Sequence, residues 1–433
     1  MAVTIAIAIF IISYIFIMTE KINRALVALA GGLLLLLTDI YEWEMAVNEY
    51  IDWNTVALLF AMMVLVSITK KTGVFSYIAI LLAKSVKGKP VPLLVGIAVL
   101  TAIGSALLDN VTTVLLFVPV ILTLTKLLKL PAIPYLITII ISANIGGTGT
   151  LIGDPPNIMI GQAVPHLTFV SFLVHTAPIA IIIFVITILL LILVFRNKLK
   201  AIDQDNINKL MKMQETDYIN KTPLLYQSLS ILFLTIIGFI LHPVLHIDLT
   251  IIALSGAIML LLISEKEVDT EKVFEQVEWV TLFFFIGLFM LVGGLEEVGV
   301  IDELARSIMW LTEGDMMNTA LLLLWTSGLF SGIIDNIPFV AAMIPVIHEF
   351  ESYGMTNLDP LWWSLALGAC LGGNATLIGA SANVVVAGLA EAQGERIPFV
   401  KFMLYGLPIV ILSLIITTVY VYFRYLLPYQ QTL

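Results

Sequence analysis

Charge is what this sequence of 433 residues has least of. Asp, Glu, Lys and Arg make up 12% of it against 60% hydrophobic residues, whereas an ordinary soluble protein carries roughly 25% charged residues. The shortage excludes a soluble globular class and describes a polytopic membrane protein. Cysteine is nearly missing too, and a lone Cys370 excludes an internal disulfide or any multi-cysteine metal site. No Walker motif is present, which argues against ATP hydrolysis by this chain. The first apolar run, residues 2–18, lacks a basic leader and a small-residue cleavage site, so it reads as a retained span rather than a signal peptide. The net charge of −10 says little, because the placement of each Lys and Arg decides more than the total.

What is there is hydrocarbon. Runs able to cross a core of about 30 Å are expected at 2–18, 23–39, 53–70, 132–161 and 169–195, and again at 226–241, 249–264, 279–296, 360–390 and 398–424. Between the third and fourth span of each set lie two apolar arms joined by a polar turn, 93–128 and 317–350. The arm from Leu93 to Ala106 would rise roughly 21 Å, which is too short to cross. Each pair therefore reads as a re-entrant hairpin whose turn, Asp109-Asn110 or Asp335-Asn336, stops near the membrane midplane. Residues 73–88 and 299–313 are short, charged and preceded by glycine, and read as interfacial helices.

The two sets form a repeat at a spacing of 226 residues. Trp53 matches Trp279, Gly73 matches Gly299, Ser105 matches Ser331, Asp109-Asn110 matches Asp335-Asn336, and Pro119 matches Pro345. Gly146-Gly147 matches Gly372-Gly373, Leu151-Ile152-Gly153 matches Leu377-Ile378-Gly379, and Asn157 matches Asn383. Five crossings per repeat, an odd number, invert the second copy. One orientation then puts 19 of the 21 Lys and Arg residues on the cytoplasmic face, leaving Arg306 and Arg424 outside. The expected organisation is a first inverted repeat (1–195), a charged cytoplasmic linker (196–225) that is a connector and not a domain, and a second repeat (226–433). Both termini lie outside a prokaryotic-type plasma membrane. Inverted repeats with discontinuous helices are the sequence pointer to the binding site of a secondary transporter.

Asp109, Asp154 and Asp335 fall at mid-membrane positions, where a charge costs at least about 2.5 to 3.5 kcal/mol. No Lys, Arg or His lies in the same segments, so a coordinated cation or a bound proton is the expected way to satisfy them. Asn110, Thr112, Thr113 and freed backbone carbonyls would supply further oxygens for a small hard cation. Asp109 and Asp335 also suit helix N-caps, and capping and ion binding can coexist. The stretches 143–157 and 369–383 carry glycine pairs and, in the first, two prolines, and should unwind in mid-span. Helix N-termini after such breaks aim partial positive charge at an anionic or polar substrate; the alternative for the glycines is close helix packing. Cys370 stands where the first repeat has Asn144 and reads as a packing residue. His166, His175, His242 and His246 lie near span ends, and the Trp residues read as interface anchors.

The segments DNVTTVLLFVPV, NIGGTGTLIGDPPN, DNIPFVAAMIP and GGNATLIGASANVVVAG resemble the ArsB/NhaD permeases of the ion transporter superfamily, most closely the P protein (pink-eyed-dilution) branch, over nearly the whole chain. The resemblance implies an all-α elevator, with a scaffold and a transport domain holding both hairpins and both broken helices, and a homodimer. It places one site at Asp109, Asn110, Thr112, Thr113, Gly146, Gly147 and Thr148, and the other at Asp335, Asn336, Gly372, Gly373 and Asn374; Asn144, Asp154, Asn157, Ser381 and Asn383, polar residues of the same broken spans, are further candidates for substrate or ion binding. Na⁺ would bind at Asp109 and Asn110 and at Asp335 and Asn336. The Ser-Asn-Thr signature of dicarboxylate carriers is replaced here by Asp-Asn. The two sites also differ, since Asp154 is matched by Ala380, Pro155 by Ser381 and Thr113 by Phe339.

The expected function is ion-coupled transport of an inorganic anion or oxyacid such as arsenite, with Na⁺ or H⁺ as coupling ion, no other cofactor, and no enzymatic activity. A Na⁺/H⁺ antiporter is the alternative, and a dicarboxylate transporter stands behind it. A channel remains a third class. An intramembrane aspartyl protease fits poorly, because none of the three Asp residues sits in a Gly-x-Gly-Asp pattern. The expected partners are the small ion and the lipid bilayer, not nucleic acid.

Overall fold

The computed structural model describes residues 1–19, 21–199 and 203–428, which leaves Lys200 of the linker outside the described residues. Every regular element among them is helical and no strand occurs. Among the described residues, eight helices are long and apolar enough to cross a membrane. Their outer faces are apolar: Ile181, Val185, Leu189 and Leu193 of Ala177–Phe195, and Phe233 and Leu234 of Pro223–Leu245, are all exposed. So large an apolar surface is stable against lipid, not water.

Packing repeats at the spacing of the sequence. Arg24–Leu37 packs on Trp279–Glu297, and their repeat mates Leu249–Ser264 and Trp53–Lys71 pack on each other. In a second group, the first hairpin arms Pro90–Leu108 and Met316–Ser331 lie along Ala132–Thr148 and Asp359–Gly372. The copies interlock through their second arms. Asn110–Leu128 packs on Ser381–Ala392, and Asn336–Ser352 packs on Pro155–Ala163.

Both long spans with glycine clusters are broken. The first is Ala132–Thr148 followed by Pro155–Ala163, and the second Asp359–Gly372 followed by Ser381–Ala392. The break is shorter than the glycine-rich stretch, and Gly146 and Gly147 remain helical. Their use is close packing: a Cβ on Gly146 would lie 2.3 Å from the Ala102 carbonyl oxygen, and one on Gly372 would lie 2.3 Å from that of Gly328. The unwinding falls on 149–154 and 373–380. Pro155 can start a helix but cannot continue one from the preceding turn.

The first hairpin arm corrects the length argument. It is the 19-residue helix Pro90–Leu108, about 28 Å long, because Pro90 and Pro92 sit in the first turn where no N–H is needed. Length alone therefore does not make it re-entrant. Conversely, the span expected at 23–39 is a 14-residue helix, Arg24–Leu37, started by the Asn23 side chain accepting from the Ala25 N–H. The span at 169–195 is interrupted at Thr176 between Phe169–His175 and Ala177–Phe195. The short helices Val74–Ser85 and Val300–Leu311 follow Gly73 and Gly299, both at φ +76°, a conformation that glycine adopts without strain.

The linker is docked. It holds a helix, Gln204–Lys212, whose Leu210 is buried, and Lys84 pairs with Glu215 and donates from Nζ to the Met213 carbonyl at 2.9 Å. The Asn220 N–H donates to the Thr72 carbonyl at 2.8 Å.

Candidate functional site

The hairpin turns and the helix breaks are held together by four hydrogen bonds that form two repeat-related pairs. Ser105 Oγ donates to the Ala143 carbonyl and Ser331 Oγ to that of Ala369, each at 2.6 Å. Thr150 Oγ1 donates to the Ala106 carbonyl at 2.6 Å and Thr376 Oγ1 to that of Gly332 at 2.7 Å. Each break is laced internally as well. Asn157 Nδ2 donates to the carbonyls of Gly147 and Thr150, and Asn383 Nδ2 to those of Gly373 and Thr376. Freed backbone carbonyls in a membrane need such partners, and an asparagine two residues into the next helix supplies them.

Between these scaffolds sits a buried amide cluster. Asn144 Nδ2 donates to Asn374 Oδ1 at 3.0 Å and Asn383 Oδ1 at 2.9 Å, and Asn110 Nδ2 donates to Asn144 Oδ1 at 3.3 Å. Asn144, on the helix that leads into the first break, thus joins the first hairpin tip to the second break. Asn336 Nδ2 donates to both carboxylate oxygens of Asp154 at 3.3 Å, so the carboxylate unique to the first repeat meets the tip of the second hairpin. Four helix N-termini, at Asn110, Pro155, Asn336 and Ser381, gather around this centre. Their partial positive charge favours anions and polar oxygens there.

The hairpin carboxylates are satisfied differently. Asp109 Oδ1 accepts from the Thr112 N–H at 2.7 Å and Oδ2 from the Thr112 hydroxyl at 2.6 Å, a helix cap made within its own hairpin. Asp335 accepts from the Ile337 N–H at 3.3 Å, but its Oδ2 also takes Ser381 Oγ at 2.6 Å and Arg24 Nη1 at 2.8 Å. This corrects the expectation that no basic partner exists. Arg24 comes from a distant helix start, where no pattern around the hairpin could reveal it. Asp109 and Asp154 have no ion pair among the described residues.

The remaining expected residues divide. Thr113 is buried with Oγ1 lacking a hydrogen-bond partner, as is Asn110 Oδ1; both oxygens are available to a ligand. Thr148 turns its hydroxyl back to the Asn144 carbonyl at 2.8 Å, which stabilises the helix end. Cys370 is more than packing, since its Sγ lies 3.4 Å from Asn157 Oδ1. Sequence reading also missed Glu278, Ser67 and Gln276. Glu278 is the repeat mate of Asp52 beside the matched tryptophans, and that pairing was the one available signal.

Two repeat-related cavities flank the centre at unequal size. One, of about 490 Å³, is lined by Tyr50, Asp52, Phe289, Gly293, Glu296 and Ala341, with Glu49 and Glu349 nearby. Its mate, of about 160 Å³, is lined by Gln276, Glu278, Met63, Ser67, Lys70 and Leu115. In the smaller, two lining residues are joined, Ser67 Oγ donating to Gln276 Oε1 at 2.7 Å. A third cavity, of about 250 Å³, joins Asn23, Arg24, Glu278 and Ser381.

Comparison with known proteins agrees with this architecture. The profile of the citrate transporter family matches residues 14–368. A "46 kDa membrane protein" of Mycobacterium leprae is 40% identical over 427 residues, covering 98% of this chain and 99% of that protein. An uncharacterized transporter of Mycobacterium tuberculosis is 38% identical, covering 97% and 98%. The human P protein is 34% identical over 95% of this chain, which spans 58% of that protein's length. Among solved structures, the YdaH transporter of Alcanivorax borkumensis, described as having an unusual topology, superposes with a TM-score of 0.57 at 14% identity, covering 92% of this chain and 95% of that one.

Proposed function

The chain belongs to the citrate transporter family, and from that premise we propose that it is an ion-coupled secondary active transporter of a small anion or oxyacid. Na⁺ or H⁺ is the coupling ion. The observation that carries this reading is the unequal pair of repeat-related cavities, about 490 and 160 Å³, on either side of one buried amide-carboxylate centre. A larger cavity on one side and a smaller repeat mate on the other is the asymmetry that alternating access calls for, and inverted repeats exchange the two shapes when they exchange conformations. The amide cluster and four helix N-termini suit an anion or a polar neutral acid. The unpaired carboxylates Asp109 and Asp154 suit the coupling cation.

In this mechanism the group containing both hairpins and both broken helices moves as an elevator against the helices packed around Trp53–Lys71 and Trp279–Glu297. The end carrying Arg24, Lys70 and the linker faces the cytoplasm. Citrate, by the family's description, and arsenite, by the resemblance to the ArsB/NhaD permeases, are the first substrates to test. In proteoliposomes under an imposed Na⁺ or pH gradient, radiolabelled substrate uptake should saturate and show counterflow, as it would not in a channel. Acid-driven Na⁺ movement with no anion present would instead support Na⁺/H⁺ antiport, the reading favoured by carboxylates that lack a basic partner.

A further inference from the structure

The two hairpin tips share Asp-Asn, yet only one of their carboxylates is held by a cation. The reason lies three residues on. Thr112 satisfies both oxygens of Asp109 through its N–H and hydroxyl; its repeat mate is Pro338, which has neither donor. Asp335 therefore cannot close the same cap, and Arg24 and Ser381 take the open positions at 2.8 and 2.6 Å. Ser381 in turn stands where the first repeat has Pro155, and Arg24 stands where the second has Thr250, whose hydroxyl donates to the Asn54 carbonyl far from any tip. The three substitutions make one arrangement, present once.

Arg24 is also foreign to the group that it holds. Its helix packs on Trp279–Glu297, and its guanidinium lies 4.9 Å from the centre of the Phe284 ring. The Tyr14 hydroxyl adds a second tie across the same boundary, donating to the Pro338 carbonyl at 2.8 Å. A carboxylate that accepts from a guanidinium holds a second cation less well, because the two positive charges repel at close distance. The cavity of about 250 Å³ beside the pair is lined by both Arg24 and Glu278, and these two interact electrostatically. A guanidinium leaving Asp335 therefore has a second carboxylate to approach.

Building on the cation-coupled reading above, we infer that Arg24 is a tethered counter-cation of Asp335: it latches the second hairpin to the surrounding helices, and a monovalent cation binds at Asp335 and Ser381 only by displacing it. Cation binding is then the event that frees the hairpin group to move. Ser381 Oγ, the Asp335 carboxylate and water from the adjoining cavity form the oxygen set offered to the incoming ion.

The test is thermal stability of the purified protein at fixed pH, titrated with NaCl, LiCl or KCl at ionic strength held constant by choline chloride. For at least one of the three cations, Arg24→Gln should lower the half-stabilising concentration by about tenfold, because the site is no longer occupied by its own competitor. Asp335→Asn should remove the part of the response that depends on residue 24, leaving only what Asp109 and Asp154 contribute, and adding Arg24→Gln to it should change nothing further. If Arg24→Gln is not recovered folded, Arg24→Lys, which keeps the charge but loses the planar fork, should lower the midpoint by about threefold. Equal midpoints in the wild type and the Arg24 variant would overturn the role of Arg24 while leaving the transport reading standing. Absence of any cation response in every variant would overturn cation binding at Asp335 itself, and substrate uptake in liposomes would then report separately on transport.

Discussion

Replacing Asn144 with alanine should strike both repeats at once. Its side chain is fully buried, it is the sole side-chain partner of Asn374 Oδ1 among the described residues, and it also serves Asn383 Oδ1 and receives Asn110 Nδ2. A buried polar group left without its partner costs about 1–3 kcal/mol. Two acceptors and one donor, Asn110 Nδ2, are orphaned, while water admitted to the vacated space recovers part of the loss, so Asn144→Ala should destabilise the protein by about 2–4 kcal/mol. Equilibrium unfolding in mixed detergent micelles measures this. Asn374→Ala made afterwards removes an acceptor that is already orphaned, so the pair should show a coupling energy of about 1–2 kcal/mol. The repeat mate provides a control: Cys370→Ala loses one weak thiol contact and should cost about 1 kcal/mol. A loss below about 0.5 kcal/mol for Asn144→Ala, or strict additivity with Asn374→Ala, would refute the bridging role.

Further outcomes follow from the same geometry. Gly372→Ala, with its Cβ 2.3 Å from the Gly328 carbonyl oxygen, should destabilise by about 1–3 kcal/mol, whereas Gly388→Ala, in a helix with open space around it, should be stabilising by about 0.5–1 kcal/mol; thermal melts of the two variants compare them directly. Asp109→Asn and Asp154→Asn should each abolish or uncouple transport while the protein remains extractable, and near-normal flux in both would reduce these carboxylates to structural roles. Cysteines at Ala341 and its repeat mate Leu115, in a Cys370→Ala background, should label unequally, the one at 341 reacting faster because it lines the larger cavity. At the linker, the Lys84 ammonium holds the Glu215 carboxyl below its ordinary range. The folded value is the lower one, so docking is favoured above the ordinary carboxylate pKa and is lost as pH falls through the depressed value. Proteolysis of the linker should therefore accelerate on acidification, and Lys84→Ala should remove that pH dependence.

The sequence alone determined the class, the helical architecture and the two broken spans, because each follows from local chemistry. Apolar run length selects a membrane helix, a glycine-rich stretch marks where one breaks, and a spacing that returns the same residues reports a repeat. The polar residues of the centre were legible for the same reason, since Asn144, Asp154, Asn336 and Asn383 stand out in a hydrocarbon sequence. What the tertiary structure decided was which of them meet. Asn144 bonds to residues 230 and 239 positions away, and Asp154 to one 182 away. No periodicity encodes such pairings. Arg24 is the sharpest case: at a helix start it reads as an ordinary inside-facing charge, and 311 residues separate it from the carboxylate it binds. Only the packing of two repeats against each other, with Pro338 removing the cap that Thr112 supplies elsewhere, turns that surface charge into part of the site.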